Sequence, residues 1–167
     1  HITNFDNNES LDLQPVKKDE VFLDKLRKSK EVRNVAPFIV TPAILKTKTE
    51  IEGIALKGVD SSYDWKTINE YMKDGKLPAF GNEDVNKDIL ISKSTALKLK
   101  LKAGDRVIVY FIRSDAPAPI GRKLTVCGIY HTGLEEYDKQ YALVDIRLLR
   151  QLNQWAEDDA VGYEVRL

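Results

Sequence analysis

His131, Glu135 and Asp138 fall within one short segment, and an imidazole with two carboxylates is the set that a small hydrolytic site or a lone metal ligand group would use. The plainer reading is a loop histidine beside surface acids. His1 is the only other histidine, and no Cys/His spacing of a metal site is present. Nucleophilic catalysis needs a Ser or Cys beside a His that a third group orients. Cys127 stands alone in an apolar run, so it forms no internal disulfide and reads as a small buried strand residue. The pairs Glu135/Glu136 and Asp158/Asp159 are adjacent in sequence and face apart. Gly53, Gly58, Gly75 and Gly81 make no phosphate-binding fingerprint, so no cofactor site is expected. With 26 basic and 26 acidic residues the chain is neutral, which argues against nucleic acid as a partner. The Lys98, Lys100, Lys102 run reads as a solvated face.

What must position His131 and its neighbours is the stretch from Leu124 to Leu143. It starts as a strand through Leu124, Val126, Ile129 and Tyr130, breaks at Thr132-Gly133, and passes an acidic segment, Glu135-Glu136-Tyr137-Asp138. It resumes as a strand at Tyr141 to Val144. Upstream, residues 1–6 read as a strand and 18–28 as a helix, with Asp19-Glu20 at its positive end. Residues 31–46 are extended, and Pro37 and Pro42 make that strand an edge or a bent one. Ile51 to Val59 is a strand. Trp65, Ile68 and Met72 give a short helix capped by Asp64, and Gly75 to Pro78 a stop and turn. Ile89 to Ile91 is a short strand. After it, Leu97, Leu99 and Leu101 alternate with lysines as a strand would, whereas Ser92 followed by Ala96-Leu97 and Lys100-Leu101 suits a capped helix, the favoured reading, and Arg106 to Ile112 is a strand. Asp145 caps a last helix with Ile146, Leu149 and Leu152 on one face and Trp155 near its end, and 160–167 is a final strand.

Outside the middle, the order is strand, helix, strand, strand, helix, strand. That is α+β, a split βαβ or ferredoxin-like arrangement with a large insertion. In it the first two strands run parallel, and the third and last run the other way. Both ends of the chain then leave from one side. A chain that begins on Ile2-Thr3-Asn4-Phe5 and ends on Tyr163 to Leu167 reads as a segment of a longer protein, with membrane helices among the flanking parts.

One loop stands out for binding rather than chemistry. Ser114, Asp115, Ala116, Pro117, Ala118, Pro119, Ile120, Gly121 and Arg122 join two strong strands, a connection longer than a hairpin needs. Its two prolines keep it extended and stiff, with little entropy left to lose on binding. Apolar Ile120 and cationic Arg122 suit a protein-docking arm. The alternative is a long hairpin tip with no partner.

Several segments together resemble the extracytoplasmic domain of ABC-transporter permeases of the lipoprotein-releasing type, in the MacB-like/FtsX-like permease family. They are His1 to Phe5; Gly53-Ile54-Ala55-Leu56-Lys57-Gly58-Val59-Asp60; Asp74-Gly75-Lys76-Leu77-Pro78; Ile89-Leu90-Ile91-Ser92 running on to Ala96-Leu97, Leu101 and Gly104-Asp105-Arg106-Val107; and Val126-Cys127-Gly128-Ile129-Tyr130 followed by Gly133 and Glu136-Tyr137-Asp138. The resemblance implies a membrane-proximal α/β porter lobe, residues 1–60 with 140–167, and an inserted, mostly β, sabre-like lobe, residues 61–139. It implies that residues 114–122 occupy the place of a Pro-containing hook that holds a periplasmic lipoprotein chaperone. This loop is shorter than such a hook.

The function so implied is non-catalytic: a periplasmic domain of an inner-membrane protein that couples cytoplasmic ATP hydrolysis to lipoprotein release and hand-over to the chaperone. Its partners would be a second permease subunit, identical or not, a cytoplasmic ATPase subunit, the lipoprotein and the chaperone. Gly133, Glu136, Tyr137 and Asp138 are expected at a hinge or inter-subunit contact where the lobes meet. Replacing Pro117, Ile120 and Arg122 is expected to weaken chaperone capture and leave the fold intact. Two alternatives remain: a mechanotransmission domain for peptide efflux or envelope-hydrolase activation, and a small α+β enzyme using His131 with Glu135 or Asp138.

Overall fold

The computed structural model describes residues 2–3, 34–80, 84–111, 119–152 and 162–166. Among them the elements run β1 (Ile2–Thr3), β2 (Asn34–Lys46), β3 (Ile51–Val59), α1 (Trp65–Glu70), β4 (Met72–Gly75), β5 (Asp88–Ser92), α2 (Lys93–Leu99), β6 (Arg106–Phe111), β7 (Ile120–Tyr130), α3 (Glu135–Gln140), β8 (Tyr141–Asp145), α4 (Ile146–Leu152) and β9 (Gly162–Arg166). The protein is α+β. The helix expected over 18–28 and Trp155 lie outside the described residues. No helix among the described residues is long and apolar enough to cross a membrane.

β2 is the strand on which the others depend. Residues 34–38 pair antiparallel with β9, which also pairs antiparallel with β1. From Ile39 to Lys46 β2 pairs with β3, and from Ala43 to Lys46 also with β6. Pro42 lies opposite Ala55 of β3, just beyond the described β6 pairing, which begins at Ala43. A residue without an N–H is tolerated at such a place.

The remaining pairings close on themselves. β3 pairs parallel with β8, β8 touches β5 at Leu90↔Leu143, β5 pairs parallel with β7, β7 antiparallel with β6, and β6 returns to β2. Six strands therefore form a ring, and β4 adds to β7 outside it. Hydrogen-bonded pairs cross the expected lobe boundaries, since β2 bonds to β6 and β5 meets β8. Buried on the two faces of these strands are Leu45, Leu56, Ile89, Leu90, Ile91, Leu124, Val126 and Leu143, all essentially without exposure. Each such side chain contributes about 2 kcal/mol relative to an exposed one.

Two strands of the ring turn directly into helices by one device. Ser92 ends β5 and its Oγ accepts from the Thr95 amide at 3.1 Å; Asp145 ends β8 and its Oδ1 accepts from the Arg147 amide at 3.0 Å. Each cap satisfies a donor at its helix start. α4 then lies on β3 so closely that a Cβ at Gly58 would come within 2.8 Å of Leu149 Cδ1. Buried Asp145 also accepts from the Asn86 amide at 2.9 Å and from the Arg147 side chain at 2.7 Å, which fixes the approach to β5.

Two sequence expectations need correction. Met72 does not continue the helix of Trp65 and Ile68: α1 stops at Glu70, and Met72 to Gly75 form β4 along β7, where a stop and turn were expected at Gly75. The acidic segment is not a simple break, because Glu135 to Gln140 form α3.

Candidate partner-binding site

The described part of the Pro-rich connection begins at Pro119, which is exposed; Ser114, Asp115, Ala116, Pro117 and Ala118 lie outside the described residues. Ile120, Gly121 and Arg122 are not loop residues. They open β7 and pair with Phe111, Tyr110 and Val109 of β6. Ile120 packs half-buried against the core. Gly121 lies under the Tyr110 ring, where a Cβ would meet a ring carbon at 3.0 Å. Arg122 is exposed and donates from its guanidinium to the Gly121 carbonyl at 3.0 Å. The expectation that Ile120 can be replaced without touching the fold is therefore corrected, because it is anchored in the core.

The segment that carries His131, Glu135 and Asp138 is built differently. Gly133 turns the chain with φ 82°, a conformation costly for other residues. Asp138 comes back under that turn and is only 3 % exposed. Its carboxylate accepts from the Thr132 amide at 3.2 Å, the Thr132 hydroxyl at 2.6 Å and the Gly133 amide at 3.2 Å, and faces His131 Nδ1 at 3.3 Å. Its own carbonyl accepts from the Ser92 hydroxyl that caps α2. Asp138 is thus an internal tie between α3, the 131–134 turn and the start of α2. Glu135 pairs with Lys139 at 2.9 Å, which holds its carboxyl below the usual range, and Glu136 is exposed.

His131, Glu135 and Asp138 do line one concavity of about 470 Å³, with Lys93, Ser94 and Lys139. Its chemistry is spent locally, since Asp138 holds the turn and Glu135 holds Lys139. Cys127 lies elsewhere, buried on β7. Burial, and next the charge of Asp88, pushes its thiol up to about 12, so it is a neutral thiol and no nucleophile near neutral pH. Among the described residues no group of three or more His, Cys, Asp or Glu is placed to hold a metal ion.

Tyr137 faces inward. Its ring lies 5.0 Å from that of Tyr141 and 6.1 Å from that of Tyr130, and its hydroxyl is 3.4 Å from that of Tyr63. Burial pushes the Tyr130 phenol up, and its hydroxyl donates to the Tyr141 carbonyl. Sequence reasoning missed Lys57 here. It is 4 % exposed, with its ammonium 5.3 Å from the Phe38 ring centre, 5.6 Å from that of Tyr63 and 6.0 Å from that of Tyr141. A lysine between Leu56 and Gly58 in an apolar strand was the available signal.

No protein-family model matches the chain. The lipoprotein-releasing system transmembrane protein LolC of Neisseria meningitidis serogroup B is 28% identical over 145 residues, covering 83% of this chain and 34% of that protein. LolC of Xylella fastidiosa is 24% identical over 143 residues, covering 81% of this chain and 33% of that protein. The chain spans about a third of the length of these curated relatives. Its fold matches the extracellular domain of the noncanonic ABC-type transporter YknZ from Gram-positive bacteria, with TM-score 0.58 and 21% identity over 89% of this chain and 72% of that one. It also matches the periplasmic region of MacB from Actinobacillus actinomycetemcomitans, with TM-score 0.61 and 15% identity over 97% of this chain and 70% of that one. At those identities the two structures speak for the fold alone. The chain is thus similar in sequence to transmembrane proteins of the lipoprotein-releasing system and in fold to the extracytoplasmic domains of the MacB and YknZ ABC-type transporters.

Proposed function

We propose that this chain is a non-catalytic periplasmic domain of an inner-membrane ABC permease that couples ATP hydrolysis by a separate cytoplasmic subunit to the release of lipoproteins. A second permease subunit would complete the transporter, and a periplasmic chaperone would accept the lipoprotein. The likeness to LolC over more than four-fifths of the chain carries this reading.

The two-lobe reading belongs to the same proposal, with its boundary moved. Among the described residues β2 pairs with β9 up to Phe38 and with β3 from Ile39, and β3 and β8 are members of the ring. We place the junction there and between α4 and β9, so that the ring as a whole is the sabre-like lobe. The connection 114–119 remains the docking arm, with Arg122 at its base. Gly133, Glu136, Tyr137 and Asp138, between β7 and β8, then serve as an inter-subunit contact, in which exposed Glu136 faces outward and Tyr137 and Asp138 fix α3.

Site-specific photocrosslinking at positions 116–119 in the intact transporter tests the arm. The expected catch is the soluble lipoprotein chaperone. Pro117→Gly combined with Arg122→Ala should weaken that capture without lowering the thermal midpoint, and Ile120 is left unchanged because it packs on the core. Crosslinks that contain neither chaperone nor lipoprotein would remove the arm from the proposal. The fold likeness to MacB and YknZ favours a second reading, mechanotransmission for another cargo. Identifying the cargo that co-purifies with the intact transporter separates the two.

A further inference from the structure

Five cations surround one concavity at the end of β2 opposite its β9-paired residues. Lys46, Ile108 and Lys123 stand in register across β2, β6 and β7. Arg106 precedes Ile108 on the exposed face of β6, Lys48 lies in the turn after β2, and Lys100 ends α2. All five cations are exposed. Between them half-buried Leu101 and exposed Ile108 make a small apolar floor over the buried Leu99 and Val107, and the cleft measures about 550 Å³. Asp105 is the single acidic residue lining it, and its Oδ2 accepts from the Lys102 amide at 3.0 Å. Beside the cleft, Glu50 holds Lys100 at 3.4 Å. The chain as a whole is neutral, so this is a local concentration of charge.

A second observation, independent of charge, concerns Lys100. It has φ 57° and ψ 42°, and it is the only non-glycine with positive φ among the described residues. Helices that end in this left-handed conformation favour glycine or asparagine, because a Cβ is strained there. The Lys100 side chain is 74% exposed, so packing does not explain the choice. What lysine supplies at that strained position is a cation at the rim of the cleft.

We infer that this cleft is a docking site for an acidic polypeptide segment of a partner protein. Carboxylates would meet Lys46, Lys48, Lys100, Arg106 and Lys123, and one or two apolar side chains would rest on the floor around Ile108. A planar layer of lipid headgroups reaches the rim and not a concave floor. A free phosphate would leave the floor unused. The site is separate from the connection 114–122 and does not depend on which cargo the permease carries.

The test uses the whole chain and a fluorescent peptide of Asp, Glu and Leu, read by anisotropy at low and high salt. Peptide binding should weaken about tenfold at high salt. Lys46→Glu with Lys123→Glu should abolish it. Lys100→Gly should weaken it about threefold while the thermal midpoint stays or rises, a combination that a purely structural role would not produce. Absent peptide binding, unchanged binding by the charge-reversed variant, or unchanged binding by Lys100→Gly would each overturn the inference. So would binding confined to phosphatidylglycerol vesicles or to inorganic phosphate.

Discussion

The junction around Asp138 and the cleft around Ile108 are both dense in charge, and they use it in opposite ways. At the junction a buried carboxylate meets two amides, a hydroxyl and an imidazole, and its backbone carbonyl takes one more hydroxyl. Its polar capacity is consumed by the fold. At the cleft five exposed cations ring an apolar floor, and one of them occupies a backbone conformation that glycine would adopt at less strain. Residue type alone ranks these regions the wrong way round. The His/Glu/Asp set looks like chemistry and is architecture, whereas the lysines look like ordinary solvated surface and line a concave, predominantly cationic cleft.

Substitutions should sharpen that contrast. The largest effect is expected from Asp138→Ala, which strands the Thr132 and Gly133 donors beneath the turn. A loss of about 3 kcal/mol is expected in urea unfolding. A cost below about 1 kcal/mol would show that the junction is not what holds α3. Ser92→Ala should come next, at about 1.5 kcal/mol, because one hydroxyl both caps α2 and donates to Asp138. Lys100→Gly should go the other way, gaining about 0.5 kcal/mol by removing a strained Cβ. A clear loss of stability there would make Lys100 a structural residue and erase the contrast.

The smallest effect should come from Glu135→Gln on the exposed face of α3. Lys139 lowers the Glu135 pKa in the folded chain, so the pair's contribution is present above the ordinary glutamate pKa and fades as pH falls through the lowered value. Glu135→Gln should remove only that shallow acid-side dependence of the thermal midpoint. A change extending to neutral pH would mean that Glu135 does more than pair with Lys139.

The parts that were legible in the sequence are those whose cause is local. Asp145 before Ile146 and Leu149 announces cap and helix face within a few residues; after Ser92 the alternating leucines fitted strand as well as helix, and the helix that starts there buries Ala96 and Leu99 and exposes Leu97. The strand Ile51 to Val59 followed from its own apolar run. β4 was not legible, since Met-Lys-Asp-Gly becomes a strand only through pairing with β7, and Met72 has helical spacing from Ile68. α3 was hidden for a similar reason: a six-residue acidic segment has no apolar periodicity, and ties to Ser92 and Thr132 secure its place. Ring closure depends on β2 changing partners along its length, which no window of sequence contains. Lys57 was missed because nothing local to β3 says that the rings of Phe38, Tyr63 and Tyr141 gather around it.

β2 has one more consequence. It runs 13 residues without interruption from the β9 pair to the cationic end, and it is covalently one piece. A strand of that length spans about 40 Å, so a tilt of about 5° at its first residues displaces its last by about 3.5 Å. β2 is therefore a lever arm. Its short end sits with the terminal strands, its long end carries the ring, and small rotations at the base become side-chain-sized strokes at the tip.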